Sequence, residues 1–368
     1  MHSKLPDEVR RIAVVRALHL GDLLTAVPGL RALRETWPRA EITLIGLPWA
    51  EDLVSRLPYL DQLLEFPGYP GISEVPYSSR RTQAFLEQAQ DRRYDLSIQL
   101  HGDGSVSNFF TLELGARCAA GYFVPGRGEP LLDINLPYPP RYPEILRVLE
   151  LMTSLGCQAQ GMHYEFPVTQ EERTEATGIL TSAGWRVGRP IVGISPGARP
   201  PARRWPAERF AEVAKGLVLA LGGLVVVTGV AAEQEMATYI ADHIGGPCIN
   251  VAGRTSLGVL AALIGKMSVL VTNDSGPAHL ATAMGTPSVI LFGGADPRRW
   301  APLDQTRHVV MYAAADCSPC PHWECPCDHR CLTWIEPGDV VVASLNLLAR
   351  LGEQPVLRGA FDRLERAG

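Results

Sequence analysis

Apolar residues along this chain fall into two alternating patterns. Short unbroken apolar runs, bounded by Gly, Pro or charged residues, predict buried strands at 11–16, 41–46, 94–100, 190–195, 224–228, 269–272 and 288–292. Between them, stripes at helical spacing predict helices. Leu23, Val27, Leu30 and Leu33 mark one over about 23–35, with Pro28 either kinking it or setting its start. Ile145, Leu146, Leu149 and Met152 mark another over 143–155, stopped by Gly156. Further helices are expected over 171–183, from Pro206, and over 233–244, 278–284 and 337–350. Strands alternating with helices imply parallel sheets. Residues 66–82 and 124–143, rich in Pro and Gly, read as ordered loops on the ligand-binding rim.

The pattern repeats. One βα series occupies the first half, and a second, with at least four parallel strands, follows a junction near 160–180. A length of 368 residues with 46% hydrophobic content accommodates two cores. The boundaries expected are 1–165, 166–340 and a helical segment at 341–368 that packs back on the N-terminal domain. The two series are expected to face each other across a cleft.

Charge narrows the function classes. Against 39 acidic residues stand 34 Lys and Arg, a formal net charge of −5, so no broad basic surface invites nucleic acid. The opening MHSKLPDEVRR lacks an apolar signal segment. No apolar run approaches the roughly 20 residues that span a bilayer. The longest, 217–230, is broken by glycines and reads as a helix end followed by a strand. The expectation is a cytoplasmic monomer. Apolar loops at 47–49 and 69–77 either touch the inner face of the membrane or pack internally. Cys118, Cys157 and Cys248 are scattered and read as small buried hydrophobes. Cys317, Cys320, Cys325, Cys327 and Cys331 crowd one segment beside His322 and His329. Their spacing leaves plain thiols, a structural zinc, a disulfide and an iron–sulfur site all open.

Chemistry concentrates at strand ends. Asn273-Asp274-Ser275-Gly276-Pro277-Ala278-His279 joins a strand to a helix. A carboxylate, a hydroxyl and an imidazole there meet unpaired N–H groups and a positive dipole end, which suits a phosphate. The plainer account is that Asp274 or Ser275 caps the helix and His279 packs. Ser195-Pro-Gly197-Ala-Arg199, running on to Arg203-Arg204-Trp205, holds three arginines whose forks match phosphate oxygens, with Trp205 bracing one of them or simply buried. Glu233 follows a third strand, either taking both hydroxyls of a ribose or exposed in a first helical turn. Gly253 permits close backbone approach, and Thr255 or Ser256 caps the next helix or contacts phosphate. In the first series Gly21-Asp22 ends the opening strand, where Asp22 is either a helix N-cap or a general base that His19 assists. No GxxxxGK[ST] loop supports ATP hydrolysis, and no GxGxxG turn supports a nicotinamide enzyme.

These stretches together resemble the bacterial heptosyltransferases, family 9 of the glycosyltransferases. The resemblance rests on 11–28, on Arg203-Arg-Trp-Pro-Ala-Glu-Arg-Phe210, on Val251-Ala-Gly-Arg-Thr-Ser-Leu257 and on Asn273–His279 through Gly293. It implies an α/β GT-B fold of two Rossmann-like domains, the first binding acceptor and the second a nucleotide-sugar such as ADP-heptose. It implies inverting transfer without a required cofactor or active-site metal, by default in lipopolysaccharide core assembly. The acceptor is a glycan, lipid-linked or small molecule. Asp22 would be the catalytic base. Asp274 would hold the donor sugar, with Ser275, Gly276 and His279 on its diphosphate, Glu233 on ribose, and Gly253 to Ser256 shaping the pocket. Arg203 stands where the family commonly has lysine, and with Arg199 and Arg204 would stabilise the leaving diphosphate. Transfer to a small natural product, another glycan or a protein, a nucleotide-sugar binder without activity, and a GT-B-shaped epimerase are the competing readings.

Overall fold

The computed structural model describes residues 5–127 and 131–352. The polar opening at 1–4, the middle of the 124–143 loop and the tail beyond 352 lie outside the described residues. The chain divides into two compact units, Met1–Glu165 and Phe166–Gly368.

In the first unit the order is β1 (Arg11–Val15), α1 (Leu20–Thr36), β2 (Glu41–Gly46), α2 (Ala50–Arg56), β3 (Gln62–Glu65), α3 (Ser79–Asp91), β4 (Leu96–Gln99), α4 (Ser107–Glu113), β5 (Cys118–Phe123), β6 (Ile134–Pro137) and α5 (Glu144–Ser154). The strands form one parallel six-stranded sheet in the order β3-β2-β1-β4-β5-β6. Strand β6 lies inside the segment expected to be loop, and α3 begins inside the other. Helix α1 starts before Pro28 and runs through it, so the proline does not set its start. It is buried along most of its length and packs on α5. Gly29 makes that approach possible, since a Cβ there would collide with Val148. The apolar loop residues Leu47, Trp49, Tyr69 and Val75 pack on the core, while Tyr77 is exposed.

The second unit contains α6 (Gln170–Ser182), β7 (Ile191–Ser195), α7 (Ala207–Leu221), β8 (Leu224–Val227), α8 (Gln234–His243), β9 (Cys248–Asn250), α9 (Leu257–Ile264), β10 (Val269–Asn273), α10 (Gly276–Met284), β11 (Ser288–Phe292), α11 (Pro297–Trp300), β12 (His308–Tyr312), α12 (Arg330–Thr333) and α13 (Pro337–Arg350). Its sheet, also parallel and six-stranded, runs β12-β11-β10-β7-β8-β9. Phe210, Val213 and Leu217 of α7 and Val340, Leu347 and Leu348 of α13 close over β7, β8, β10 and β11. Each such buried side chain contributes about 2–3 kcal/mol of burial free energy. Helix α7 stops at Gly222, whose left-handed φ of 67° is the expected C-cap conformation. The described part of the last segment packs on α7 of the second unit, and the rest of the segment expected at 341–368 lies outside the described residues.

The two sheets share one topology. Each grows outward from its first strand, then returns to lay a later strand on that strand's other side: β4 beside β1, and β10 beside β7. At such a reversal the connections leave in opposite directions, which opens a crevice at the carboxyl ends where ligands bind in open α/β sheets. Register carries this to particular residues. Val15 pairs with Gln99, bringing Arg16 beside Leu100; Ser195 pairs with Thr272, bringing Pro196 beside Asn273.

Candidate functional site

In the first unit the reversal point holds the turn that leads into α1. His19 is the helix N-cap in extended backbone, and Asp22 is the third helical residue, so Asp22 is not the N-cap. Its carboxylate Oδ2 accepts the His19 backbone N–H at 3.2 Å, reaching back over the turn. Asp22 is half-buried, while Gly21 and Leu23 beside it are buried.

Beneath this turn lies a charged network that the sequence did not single out. Arg16 and Glu144 are each 1% exposed and paired at 3.0 Å. Arg147, at the first turn of α5, donates from Nε to the other oxygen of Glu144 at 3.1 Å and from Nη1 to the Gly102 carbonyl at 3.0 Å. Its guanidinium lies over the rings of Tyr138 and Tyr122. Burial alone would lower the Arg147 pKa; the Glu144 carboxylate overrides this and holds it above the ordinary value.

In the second unit the reversal point gathers residues from several strand ends. Asn273, fully buried, is the brace. Its Nδ2 donates to the Pro196 carbonyl at 2.7 Å, and its Oδ1 accepts the Trp205 N–H at 3.1 Å. The loop of residues 196–205 is thereby pinned at both ends to β10. This pinning delivers Arg203 to Asp274: Nη1 stands 3.4 Å from Oδ2, with Asp274 7% and Arg203 33% exposed. Ser275 caps α10 in extended backbone and donates its hydroxyl to the Asn273 carbonyl at 3.2 Å rather than capping a helix N–H. At the start of α10, Pro277 has no N–H and the Ala278 N–H is bonded to the Ser275 carbonyl. The backbone donor there is therefore the Gly276 N–H, next to the Asp274 that Arg203 pairs with and in a setting suited to an anion. His279 is buried, with its ring edge-on to Trp300.

Glu233 reaches the same loop from the end of β8. Its Oε2 accepts the Val230 N–H at 3.0 Å, and its carboxylate occupies the space a Cβ on Gly197 would need. Ser195 is buried at the end of β7. Gly253 has φ of 67° and donates its N–H to Gly229, with the Ala231 backbone where a side chain would go. Ser256 caps α9 by accepting the Val259 N–H at 3.2 Å, with Thr255 just ahead of it. The second unit thus brings Ser195, Gly197, Arg203, Glu233, Asp274 and Ser275 to the carboxyl ends of the interior strands β7, β8 and β10.

The arginines divide their work. Arg204 turns inward, Nε donating to the Ala198 carbonyl at 2.7 Å, and so shapes its own loop. Arg199 is exposed with its guanidinium over Trp323, 5.6 Å from the ring centroid. Trp205 braces no arginine: it is buried edge-on against Phe210, with Nε1 donating to the Leu332 carbonyl.

The cysteine-rich segment packs against this loop. The Trp323 carbonyl accepts the Ala202 N–H at 3.1 Å, and the Cys320 N–H donates to Gly294 at the end of β11. None of the eight cysteines, all of them described, forms a disulfide. Among the described residues no group of three or more His, Cys, Asp or Glu is arranged to hold a metal ion, so the structure gives no support to zinc. The thiols of this segment lie close to one another, Cys327 against Cys317. Cys325 Sγ accepts the N–H groups of Cys327 and His329, Cys331 is buried in the core, and Cys320 abuts Gly294. Burial pushes the Cys331 pKa up to about 11. No helix among the described residues is long and apolar enough to cross a membrane.

Comparisons with known proteins bear on the family and the fold. Residues 83–330 match the protein family Glycosyltransferase family 9 (heptosyltransferase). The chain is 28% identical over 281 residues to lipopolysaccharide heptosyltransferase 2 of Escherichia coli (strain K12), covering 74% of this chain and 79% of that protein. Among solved structures it is similar to a family 9 glycosyl transferase from Veillonella parvula, with a TM-score of 0.74, 24% identity and coverage of 95% of this chain and 99% of that one. It is also similar to E. coli ADP-heptose lps heptosyltransferase II, with a TM-score of 0.70, 25% identity and coverage of 94% and 99%.

Proposed function

Because the chain belongs to glycosyltransferase family 9, the heptosyltransferases, and is therefore a glycosyltransferase, we propose that it transfers a heptose from ADP-heptose to a hydroxyl of a lipopolysaccharide core acceptor, with inversion. The observation that carries this reading is the pairing of Arg203 with Asp274 at the N-terminus of α10, with Glu233 on the adjoining loop. It combines a cation, the Gly276 N–H and the positive end of a helix for a diphosphate with carboxylates for sugar hydroxyls. The E. coli relative is a lipopolysaccharide heptosyltransferase, and the similar E. coli structure carries ADP-heptose in its name; both support the donor and acceptor class.

Each residue then has a chemical role. The acceptor oxygen attacks the anomeric carbon as Asp22 takes its proton, and the bond to the diphosphate breaks with ADP leaving. Negative charge grows on the departing diphosphate, where Arg203, Arg199 and the Gly276 N–H at the start of α10 stabilise it. Asp274 holds the donor sugar, Glu233 the ribose, and Gly253 with Thr255 and Ser256 the nucleotide. Ser275, Gly276 and His279 line the diphosphate, and Arg204 sets the loop that presents Arg203. Donor binding belongs to the second unit and acceptor binding to the first. The protein works as a cytoplasmic enzyme that meets a lipid-linked acceptor at the membrane surface.

The test is to incubate the protein with ADP-heptose and a heptose-bearing core oligosaccharide and follow product mass. A gain of one heptosyl unit is expected, with the new anomeric centre inverted. Asp22→Ala should lower turnover by about 10²–10⁴-fold while ADP affinity holds. An Asp22→Ala enzyme with parental turnover would remove Asp22 from the role of base, and absence of transfer from ADP-heptose would overturn the donor assignment.

A further inference from the structure

The buried arginine under the Asp22 turn has each of its three guanidinium nitrogens hydrogen-bonded. Arg16 Nε donates to the Asp22 main-chain carbonyl at 2.8 Å, and Nη1 to the Leu100 carbonyl at 2.6 Å. Nη2 reaches the Thr25 hydroxyl at 3.2 Å and Glu144 Oε1 at 3.0 Å. The Thr25 hydroxyl in turn donates to the same Asp22 carbonyl at 2.7 Å. One carbonyl, that of Asp22, is therefore held from two sides, by a guanidinium and by a hydroxyl that the guanidinium itself touches.

Stability alone is a poor account of this arrangement. Burying an ion pair costs several kcal/mol of desolvation per ion, and well-packed apolar residues of similar volume commonly do as well. What an apolar core cannot do is fix one carbonyl in one place. Glu144, shared by Arg16 and Arg147, locks the Arg16 guanidinium, and the Leu100 carbonyl ties it to the end of β4, while Arg147 is itself held by the Gly102 carbonyl.

We infer that Arg16 and Thr25 are positioning residues for the transfer: they clamp the backbone at Asp22 and thereby aim its carboxylate at the acceptor hydroxyl. This rests on the reading of Asp22 as the base. A misplacement of about 1 Å at a reacting group costs about 10²-fold in rate, so the clamp acts on turnover and leaves donor binding, in the other unit, alone.

Thr25 separates aim from packing. Thr25→Val keeps the shape and loses the hydroxyl; Thr25→Ser keeps the hydroxyl and loses a methyl. Steady-state kcat and KM for ADP-heptose and acceptor would be measured for both, and for Arg16→Lys, which keeps the charge but not the fork. Expected are a fall in kcat of about 10-fold for Thr25→Val with KM for ADP-heptose within about twofold, and near-parental kcat for Thr25→Ser. Arg16→Lys, where it folds, should lose about 10²-fold. Parental kcat in Thr25→Val, or a larger loss in Thr25→Ser than in Thr25→Val, overturns the inference. Asp22→Asn run alongside tells the two failures apart. If it is inactive while Thr25→Val is unaffected, only the clamp fails; if it turns over normally, the base assignment fails and the clamp with it.

Discussion

Replacing Asn273 by alanine tests how the arginine loop is held. The side chain is fully buried, and its two hydrogen bonds, to the Pro196 carbonyl at 2.7 Å and from the Trp205 N–H at 3.1 Å, are the pins at either end of the 196–205 loop. Trp205 and Pro196 are themselves buried, so truncation leaves a donor and an acceptor without water to replace the lost partner. Each group left unsatisfied costs about 1–3 kcal/mol, giving about 2–6 kcal/mol for the pair. For a domain of this size about 2–4 °C of melting temperature is lost per kcal/mol, so a fall of roughly 10 °C in the second unit's transition is expected. Differential scanning calorimetry reads that fall. Titration calorimetry with ADP, at a temperature where the variant is folded, reads the second consequence: weaker binding, because Arg203 is no longer delivered to Asp274. A melting temperature within about 2 °C of the parent, at unchanged ADP affinity, would refute the reasoning.

Three further outcomes are expected. Arg203→Ala removes a charge-assisted contact worth about 1.5–3 kcal/mol, so ADP affinity measured by calorimetry should fall about 10- to 100-fold; an unchanged Kd would take Arg203 out of the donor site. His308 is buried against the Ser288 hydroxyl, and burial lowers its pKa from 6.5 to about 4. The unfolded chain therefore binds a proton that the folded one resists, and stability on the order of 3 kcal/mol, present above pH 6.5, is lost as pH falls toward 4. Unfolding midpoints across that window should slope less in His308→Gln, and equal slopes would contradict the assignment. Burial raises the thiols of Cys248 and Cys331 to about 11, so at pH 8 their thiolate fraction is about 10⁻³. Mass-resolved alkylation of the folded protein should modify these two among the last, and prompt labelling of either would contradict their burial.

The strands that could be read in the sequence share a position in the sheets. Of the predicted runs, those at 190–195, 224–228, 269–272 and 288–292 are the four interior strands of the second sheet, and those at 11–16, 41–46 and 94–100 are interior in the first. Interior parallel strands are covered on both faces and so appear as continuous apolar runs. The edge strands β3, β6 and β9 are mostly half-exposed, with short or mixed sequences such as Gln62–Glu65, and left no such run; β12, also half-exposed, does carry an apolar run, Val309 to Tyr312, that was not read as a strand. Interior β5 was missed as well; its Cys-Ala-Ala-Gly-Tyr-Phe lacks the β-branched residues that mark a strand. Site residues divide in a similar way. Asp274 and Asp22 sit in local motifs of turn and helix start, so their placement just after a strand was legible. Asn273 was visible only as part of its motif, because its partners lie on another loop. The pairing of Arg16 with Glu144 joins residues far apart in the chain, and one sequence gives no local signal for it.

Gly197 and Glu233 make a single object out of two distant positions. The carboxylate of one fills the volume that any side chain on the other would occupy. Across descendants of this chain the two do not drift independently: a side chain at 197 makes the glutamate swing off the Val230 N–H, shorten or leave. If Glu233 reads the ribose, a side chain at 197 becomes a marker, visible in genomes alone, of lineages that have exchanged their nucleotide.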